Sequence, residues 1–119
     1  MLVVGMGEKL VRDKIPEIIR EKGDSPKIRT ASGEELDAFL RAKLVEEATE
    51  FLESGDLEEV VDIIEVLDRI IDLRRTDRAM LELQRETKKH FRGGFEQGII
   101  LSFDSEDLEA HSTYSETSE

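Results

Sequence analysis

Four carboxylates occupy positions in two consecutive helix-like segments where apolar core residues are expected. At about 100° per residue around an ideal helix, Glu47 falls in the middle of an apolar stripe made by Leu36, Leu40, Leu44 and Phe51. Glu50 lies one turn further on, at the edge of the same stripe. In the second segment, Glu59 and Asp62 fall on the apolar side that is formed by Ile63, Val66, Ile70 and Leu73.

The two carboxylate pairs are placed symmetrically about Ser54-Gly55-Asp56, which reads as a turn between antiparallel helices. Glu50 is then level with Glu59, and Glu47 is level with Asp62. Unpaired carboxylates on an apolar face would repel one another and lose hydration at several kcal/mol each. A divalent cation removes both penalties, and oxygen-only ligands in a chain without Cys select Mg²⁺, with Mn²⁺ as the alternative. Each residue alone also fits a surface or capping position, as Asp56 with Glu59 does.

The pattern Glu47-x-x-Glu50 followed by Glu59-x-x-Asp62 resembles the ExxE…ExxD signature of the all-α nucleoside triphosphate pyrophosphatases. This superfamily includes MazG-like proteins and phosphoribosyl-ATP pyrophosphohydrolase. The resemblance covers roughly residues 8–103, because a small prokaryotic branch has segments similar to KLVRDKIPEII at Lys9–Ile19 and RGGFEQGIIL at Arg92–Leu101. The interval between the two pairs is shorter than in many members, so Glu58 remains an alternative to Glu59.

The resemblance implies a Mg²⁺-dependent nucleotide pyrophosphohydrolase that cleaves the α–β phosphate bond of a non-canonical nucleoside triphosphate, yielding the monophosphate and pyrophosphate. The predicted metal ligands are Glu47, Glu50, Glu59 and Asp62, and the first two are also the predicted catalytic carboxylates. The chain has no Cys and no phosphate-binding loop motif, so water is the expected nucleophile. Two alternatives stay open: phosphoribosyl-ATP as the substrate, in histidine biosynthesis, and a non-catalytic helical oligomerisation or regulatory module.

Two basic clusters are candidates for the phosphates of a substrate, whose negative charge needs cations beyond the metal. One cluster contains Arg12 and Lys14, and the other contains Lys88 and Arg92 ahead of Gly93-Gly94. We predict these four side chains as nucleotide-binding residues. The alternative is that they pair with surface carboxylates or favour the end of a helix, where cations are stabilised.

The composition indicates one pyrophosphohydrolase domain at residues 1–103 and a disordered acidic tail at residues 104–119. The 119 residues carry 17 basic and 29 acidic side chains, a net charge of -12, which argues against nucleic-acid binding. No stretch has the length and apolarity of a signal peptide or a membrane span. We therefore expect a cytoplasmic protein with a small nucleotide as its partner.

We expect an all-α fold of the MazG-like type, in which a helical hairpin is completed to a four-helix bundle by oligomerisation. Predicted helices run from an N-cap at Asp13 to about Glu21, from a capping box at Ser32–Glu35 to about Glu53, from Leu57 to about Arg74, and from Thr76 as N-cap to about His90. Residues 95–103 are either a short strand or an extended arm. A second apolar arc predicts a homodimer or a homotetramer, and it consists of Val60, Ile64, Leu67 and Ile71.

Overall fold

The computed structural model describes residues 7–103 and contains four α-helices in that range. Their bounds are α1 Ile15–Glu21, α2 Gly33–Ser54, α3 Leu57–Leu73 and α4 Arg78–Arg92. Residues 7–103 include no strand, so the all-α prediction is confirmed for this part of the chain. Among these residues no helix is long and apolar enough to cross a membrane. The predicted tail at 104–119 lies outside the described residues.

A tight turn joins α2 to α3 and makes them an antiparallel hairpin, as predicted. Gly55 adopts a left-handed conformation with φ 69°, which glycine reaches without the steric cost of a Cβ. Its N–H donates to the carbonyl of Phe51 at 2.7 Å and closes α2. The N–H of Asp56 donates to the Ser54 hydroxyl at 3.0 Å, and α3 begins at the next residue. The two helices therefore run back along each other and pack together.

The buried apolar side chains lie at the open end of this hairpin. In the described part of the chain they are Ala38, Phe39 and Leu40 on α2 and Val66 on α3. Asp37 reinforces this end, because its two oxygens accept from Arg74 Nε at 2.8 Å and Nη2 at 2.9 Å. Glu47 lies further along α2, between this small core and the turn.

Three predicted helix starts are wrong in detail. Ser32 precedes α2 but makes no capping hydrogen bond, because Gly33 has a positive φ of 57° and Arg29 binds both oxygens of Glu35 at 3.1 and 3.0 Å. A capping box needs that carboxylate to turn back to the helix start. Lys14, and not Asp13, precedes α1, with Pro at the start of the helix and no side-chain cap.

The start of α4 also differs by one residue from the prediction. Asp77, and not Thr76, caps the helix, since its Oδ1 accepts from the N–H groups of Ala79 at 2.9 Å and Met80 at 3.4 Å. Two N–H groups that have no partner within the helix are thereby satisfied. Asp77 is the residue immediately before Arg78, where α4 begins.

The chain divides into two compact units, Met1–Glu82 and Leu83–Glu119. In the second unit, α4 ends where the N–H of Gly93, at φ 83°, donates to the Lys89 carbonyl at 2.8 Å. Lys89 also pairs with Glu96 at 3.1 Å. Residues 95–98 form a turn, and 99–103 have no regular secondary structure.

Candidate metal centre

Glu47 is the buried carboxylate of the described chain, with 5 % of its surface exposed. It sits on the face of α2 that packs against α3, as the helical periodicity predicts. Its Oε1 lies 3.4 Å from Lys43 Nζ, but its Oε2 is buried without a hydrogen-bond partner. A buried polar atom left unsatisfied costs roughly 1–3 kcal/mol, and more when it is charged. The position therefore favours a further partner that is cationic or carries a proton, such as a metal ion or a protonated Glu59.

The helix α3 presents Glu59 and Asp62 to Glu47 across the hairpin. One carboxylate oxygen from each of the three residues lies within 4.8 Å of the others. Mg²⁺ ligands sit about 2.1 Å from the ion, so opposite ligands are about 4.2 Å apart. Neighbouring ligands of an octahedral ion are only about 3.0 Å apart, so the three oxygens would have to move closer together to share one ion.

A second group of carboxylates shares Glu47 and lies along α2. It joins Glu46 and Glu50 to Glu47, again with one oxygen from each within 4.8 Å of the others. All four predicted metal ligands therefore come together in the first unit, in two groups that meet at Glu47. Glu46 was missed by the sequence reasoning, although its spacing of four residues from Glu50 puts the two on one helix face and could have indicated it.

Glu59 links the two groups electrostatically. Its burial, followed by its hydrogen bond with Glu50 and the neighbouring charges of Glu50 and Glu47, raises the pKa of Glu59 to about 7. A proton shared at this point lowers the negative charge of the cluster when no cation does so. Glu58 is exposed on the outer side of α3 and belongs to neither group, so Glu59 is the residue that faces the cluster.

The capping alternative for Glu59 is not what the chain adopts. Asp56 precedes α3, but it makes no side-chain cap, and Glu59 uses only its backbone N–H there, donating to the Asp56 carbonyl at 3.1 Å. The Glu59 carboxylate is therefore turned towards Glu47 and Glu50. A residue that served mainly as a cap would point it back along the helix start.

The expectation of wholly unpaired carboxylates is wrong, because cations of the same unit contact the cluster. Arg12 Nη2 donates to Asp62 Oδ1 at 2.6 Å. Lys43 lies 3.2 Å from Glu46 as well as 3.4 Å from Glu47, and Lys9 lies 3.2 Å from Glu46. The physical reason is net charge: five carboxylates this close attract any cation within reach. The neutralisation is partial, since the Glu47 oxygen remains without a partner.

The predicted phosphate ligands are placed differently by the fold. Arg12 contacts the cluster directly through Asp62. Lys14 is exposed immediately before α1, two residues from Arg12. Lys88 and Arg92 lie on the part of α4 that belongs to the second unit. Arg12 is thus the one of the four that the described first unit brings to the carboxylate cluster, and its ion pair with Asp62 is the carboxylate pairing given above as the alternative to phosphate binding.

Comparison with known proteins gives one partial match. It indicates a relationship between the two sequences and states no activity. A protein of Mycolicibacterium smegmatis, whose name states no activity, is 57% identical over 42 residues, which are 35% of this chain and 43% of that protein. The chain thus matches less than half the length of this relative. No family model matches the sequence, and no solved structure matches it.

Proposed function

We propose that this protein is a Mg²⁺-dependent nucleotide pyrophosphohydrolase that cleaves the α–β phosphate bond of a non-canonical nucleoside triphosphate. The observation that carries the proposal is the buried Glu47 Oε2, which has no hydrogen-bond partner and belongs to a side chain that faces Glu59 and Asp62. A divalent cation supplies what this atom lacks, because it neutralises several carboxylates at once and accepts all of them as ligands.

The donor set supports a hard ion. Each of the clustered side chains offers only carboxylate oxygen, and the whole chain contains no Cys. Oxygen ligands suit Mg²⁺ and Mn²⁺, whereas thiolate and imidazole favour softer metals. Glu59 carries a second sign of the same demand, since burial and the neighbouring Glu50 and Glu47 disfavour its negative charge and raise its pKa to about 7.

The proposed chemistry divides the cluster into holding and reacting groups. A bound divalent ion supplies charge neutralisation at the phosphoryl oxygens. Glu47, Glu59 and Asp62 would hold it from both helices of the hairpin. Glu50 is less buried than Glu47 and is the proposed general base, because a base must reach the attacking water as well as the cluster.

The substrate phosphates need further cations. The candidate residues are chosen by the sequence resemblance and by their positions. Arg12 already lies at the cluster, 2.6 Å from Asp62. Lys14 follows it closely in the chain, and Lys88 and Arg92, on the second unit, are also proposed as phosphate ligands. The nucleotide substrate and a cytoplasmic location belong to this proposal.

The proposal includes a homodimer, with a homotetramer as the alternative. Of the predicted apolar arc on α3, Ile64 at 58 % and Leu67 at 41 % are exposed in a single copy. Val60 and Ile71 of the same arc are half-buried, and Val61 beside it is 61 % exposed. Exposed apolar patches of this kind usually mark interfaces. A two-fold contact would bury the same α3 arc from both copies and complete the bundle cross-section that one hairpin begins.

Turnover of a substrate panel tests the proposed reaction. The purified protein is incubated with Mg²⁺ and with canonical and modified nucleoside triphosphates and phosphoribosyl-ATP, and products are separated by chromatography. We expect equal amounts of nucleoside monophosphate and pyrophosphate from the best substrate. Glu50→Gln should lower kcat by at least about 100-fold, as loss of a general base does, and Glu53→Gln on the outer face of α2 is the matched control.

The outcomes separate the alternatives. Cleavage of phosphoribosyl-ATP alone would assign the second substrate. Release of inorganic phosphate without pyrophosphate would refute cleavage at the α–β bond. Metal binding without turnover of any compound in the panel would favour the non-catalytic module over the enzyme.

A further inference from the structure

We propose that Arg12 and the metal ion compete for Asp62, so that metal binding releases the Arg12 guanidinium for a phosphate group. This inference rests on the proposed function, because it requires that Asp62 takes part in a divalent-cation site. It adds an order to binding: the metal enters first, and the anionic substrate follows. In the metal-free protein, Arg12 is already bound to a carboxylate and is a poor phosphate ligand.

The geometry places both cations at one carboxylate. Arg12 Nη2 lies 2.6 Å from Asp62 Oδ1, a short charge-assisted contact. An oxygen of the same carboxylate lies within 4.8 Å of ligand atoms from Glu47 and Glu59. An ion bonded to Asp62 would sit only a few ångströms from the guanidinium. The two positive charges would repel each other strongly at that distance.

The metal should bind Asp62 more strongly than Arg12 does. It carries two charges and takes ligands from three residues, whereas the guanidinium depends mainly on one carboxylate. The hydrogen bond to Asp62 is the main cause of the raised pKa of Arg12, and the charges of Glu65 and Glu47 add to it. A cation bound among the carboxylates cancels much of that attraction.

Arg12 is also free to move once Asp62 is taken. Its side chain is 53% exposed, and it precedes α1 in a segment without regular secondary structure. Lys9 tethers the same segment through its ion pair with Glu46 at 3.2 Å, so the released guanidinium stays near the carboxylate cluster. An arginine held there without a carboxylate partner is suited to the bidentate binding of a phosphate.

Calorimetric titration with Mg²⁺ and with Mn²⁺, without nucleotide, tests the competition directly. We expect Arg12→Ala to bind the metal about three- to tenfold more tightly than the wild type, since a competitor has been removed. Arg12→Lys should fall between the two. Arg20→Ala on α1 removes the same charge from an exposed site away from Asp62 and should change the affinity by less than about twofold.

A second titration, with a non-hydrolysable nucleoside triphosphate, measures the other half of the proposal. At saturating Mg²⁺, Arg12→Ala should weaken nucleotide binding by at least about tenfold, as expected for a lost charged contact. Without metal, wild type and Arg12→Ala should bind the nucleotide equally weakly.

Equal or weaker metal binding by Arg12→Ala, with normal binding by the wild type, would overturn the competition and leave the metal site standing. A wild-type protein that binds neither Mg²⁺ nor Mn²⁺ would overturn the proposed function and this inference together. Tighter metal binding combined with unchanged nucleotide affinity would overturn the assignment of Arg12 to the phosphate.

Discussion

Replacement of Glu47 by glutamine should stabilise the metal-free protein and remove its response to Mg²⁺. The substitution keeps the size and shape of the side chain and deletes one negative charge from a site that is 5 % exposed. The new amide can also donate a hydrogen bond to a neighbouring carboxylate, which the ionised Glu47 cannot do. The substitution thus removes a negative charge from a buried site, where that charge destabilises the folded state.

The size of the effect follows from the distances. One ionised carboxylate at 4.8 Å repels Glu47 by about 3.5 kcal/mol at an effective dielectric constant of about 20. Besides Glu47, its two groups contain four carboxylates. Lys43 at 3.4 Å from Glu47, and Arg12 through its ion pair with Asp62, offset the negative charge of about two of them. The proton on Glu59 offsets part of a third. Solvent and side-chain relaxation reduce the remainder to about 2 kcal/mol, or roughly 8 °C in Tm for a chain of this length.

Thermal unfolding in chelator and in Mg²⁺ measures both parts. In chelator, Glu47→Gln should melt about 8 °C above the wild type. At a Mg²⁺ concentration about 100 times the Kd, the wild type should gain about 2.7 kcal/mol, and the variant should gain little. Glu53→Gln, exposed on the same helix, should leave both Tm values within about 2 °C of the wild type.

Two results would refute this reasoning. A fall of several degrees in the metal-free Tm of Glu47→Gln would show that Glu47 is a structural residue whose charge the fold already balances. An unchanged Mg²⁺-dependent rise in the variant would show that Glu47 is no ligand. Protein concentration is held constant, because the Tm of an oligomer depends on it.

Three further perturbations test the same picture. The metal-free protein should lose stability as the pH rises from about 4.5 to about 7, because folded Glu59 keeps its proton up to a pKa of about 7 and the unfolded chain releases it near the ordinary value of 4.5. Glu59→Gln should flatten this part of the Tm–pH curve, and an unaltered slope would contradict the assignment. Truncation after Phe103 removes the predicted acidic tail and should leave circular dichroism and turnover nearly unchanged, whereas a large fall in Tm would show that the segment is structural. Ile64→Asp should dissociate the proposed dimer in sedimentation velocity, and an active wild-type monomer at micromolar concentration would disprove the dimer.

Helical periodicity was sufficient to locate the carboxylate cluster. The positions of Glu47 and Asp62 depend on local geometry, namely 3.6 residues per turn and a glycine that reverses the chain at Gly55. Both features can be recognised in a short stretch of sequence. The hairpin, its turn and the facing carboxylates were therefore predictable together.

The ion-pair partner of Arg12 was beyond such reasoning, although pairing with a surface carboxylate was one alternative. Arg12 and Asp62 are separated by 50 residues, and no periodicity connects them. The capping box at the start of α2 failed for another reason: Glu35 fits the local pattern, but Arg29, six residues before it, binds both of its oxygens. An ion pair can thus redirect a side chain that the capping pattern assigns.

The closeness of the carboxylates along the chain has a consequence for the order of folding. Asp62 follows Glu47 by fifteen residues across a single glycine turn, so a newly formed hairpin brings the two together on the microsecond scale of local structure. Arg12 reaches Asp62 only after a loop of 50 residues closes, which costs more chain entropy and comes later. The carboxylates of the hairpin are therefore expected to come together before Arg12 reaches them.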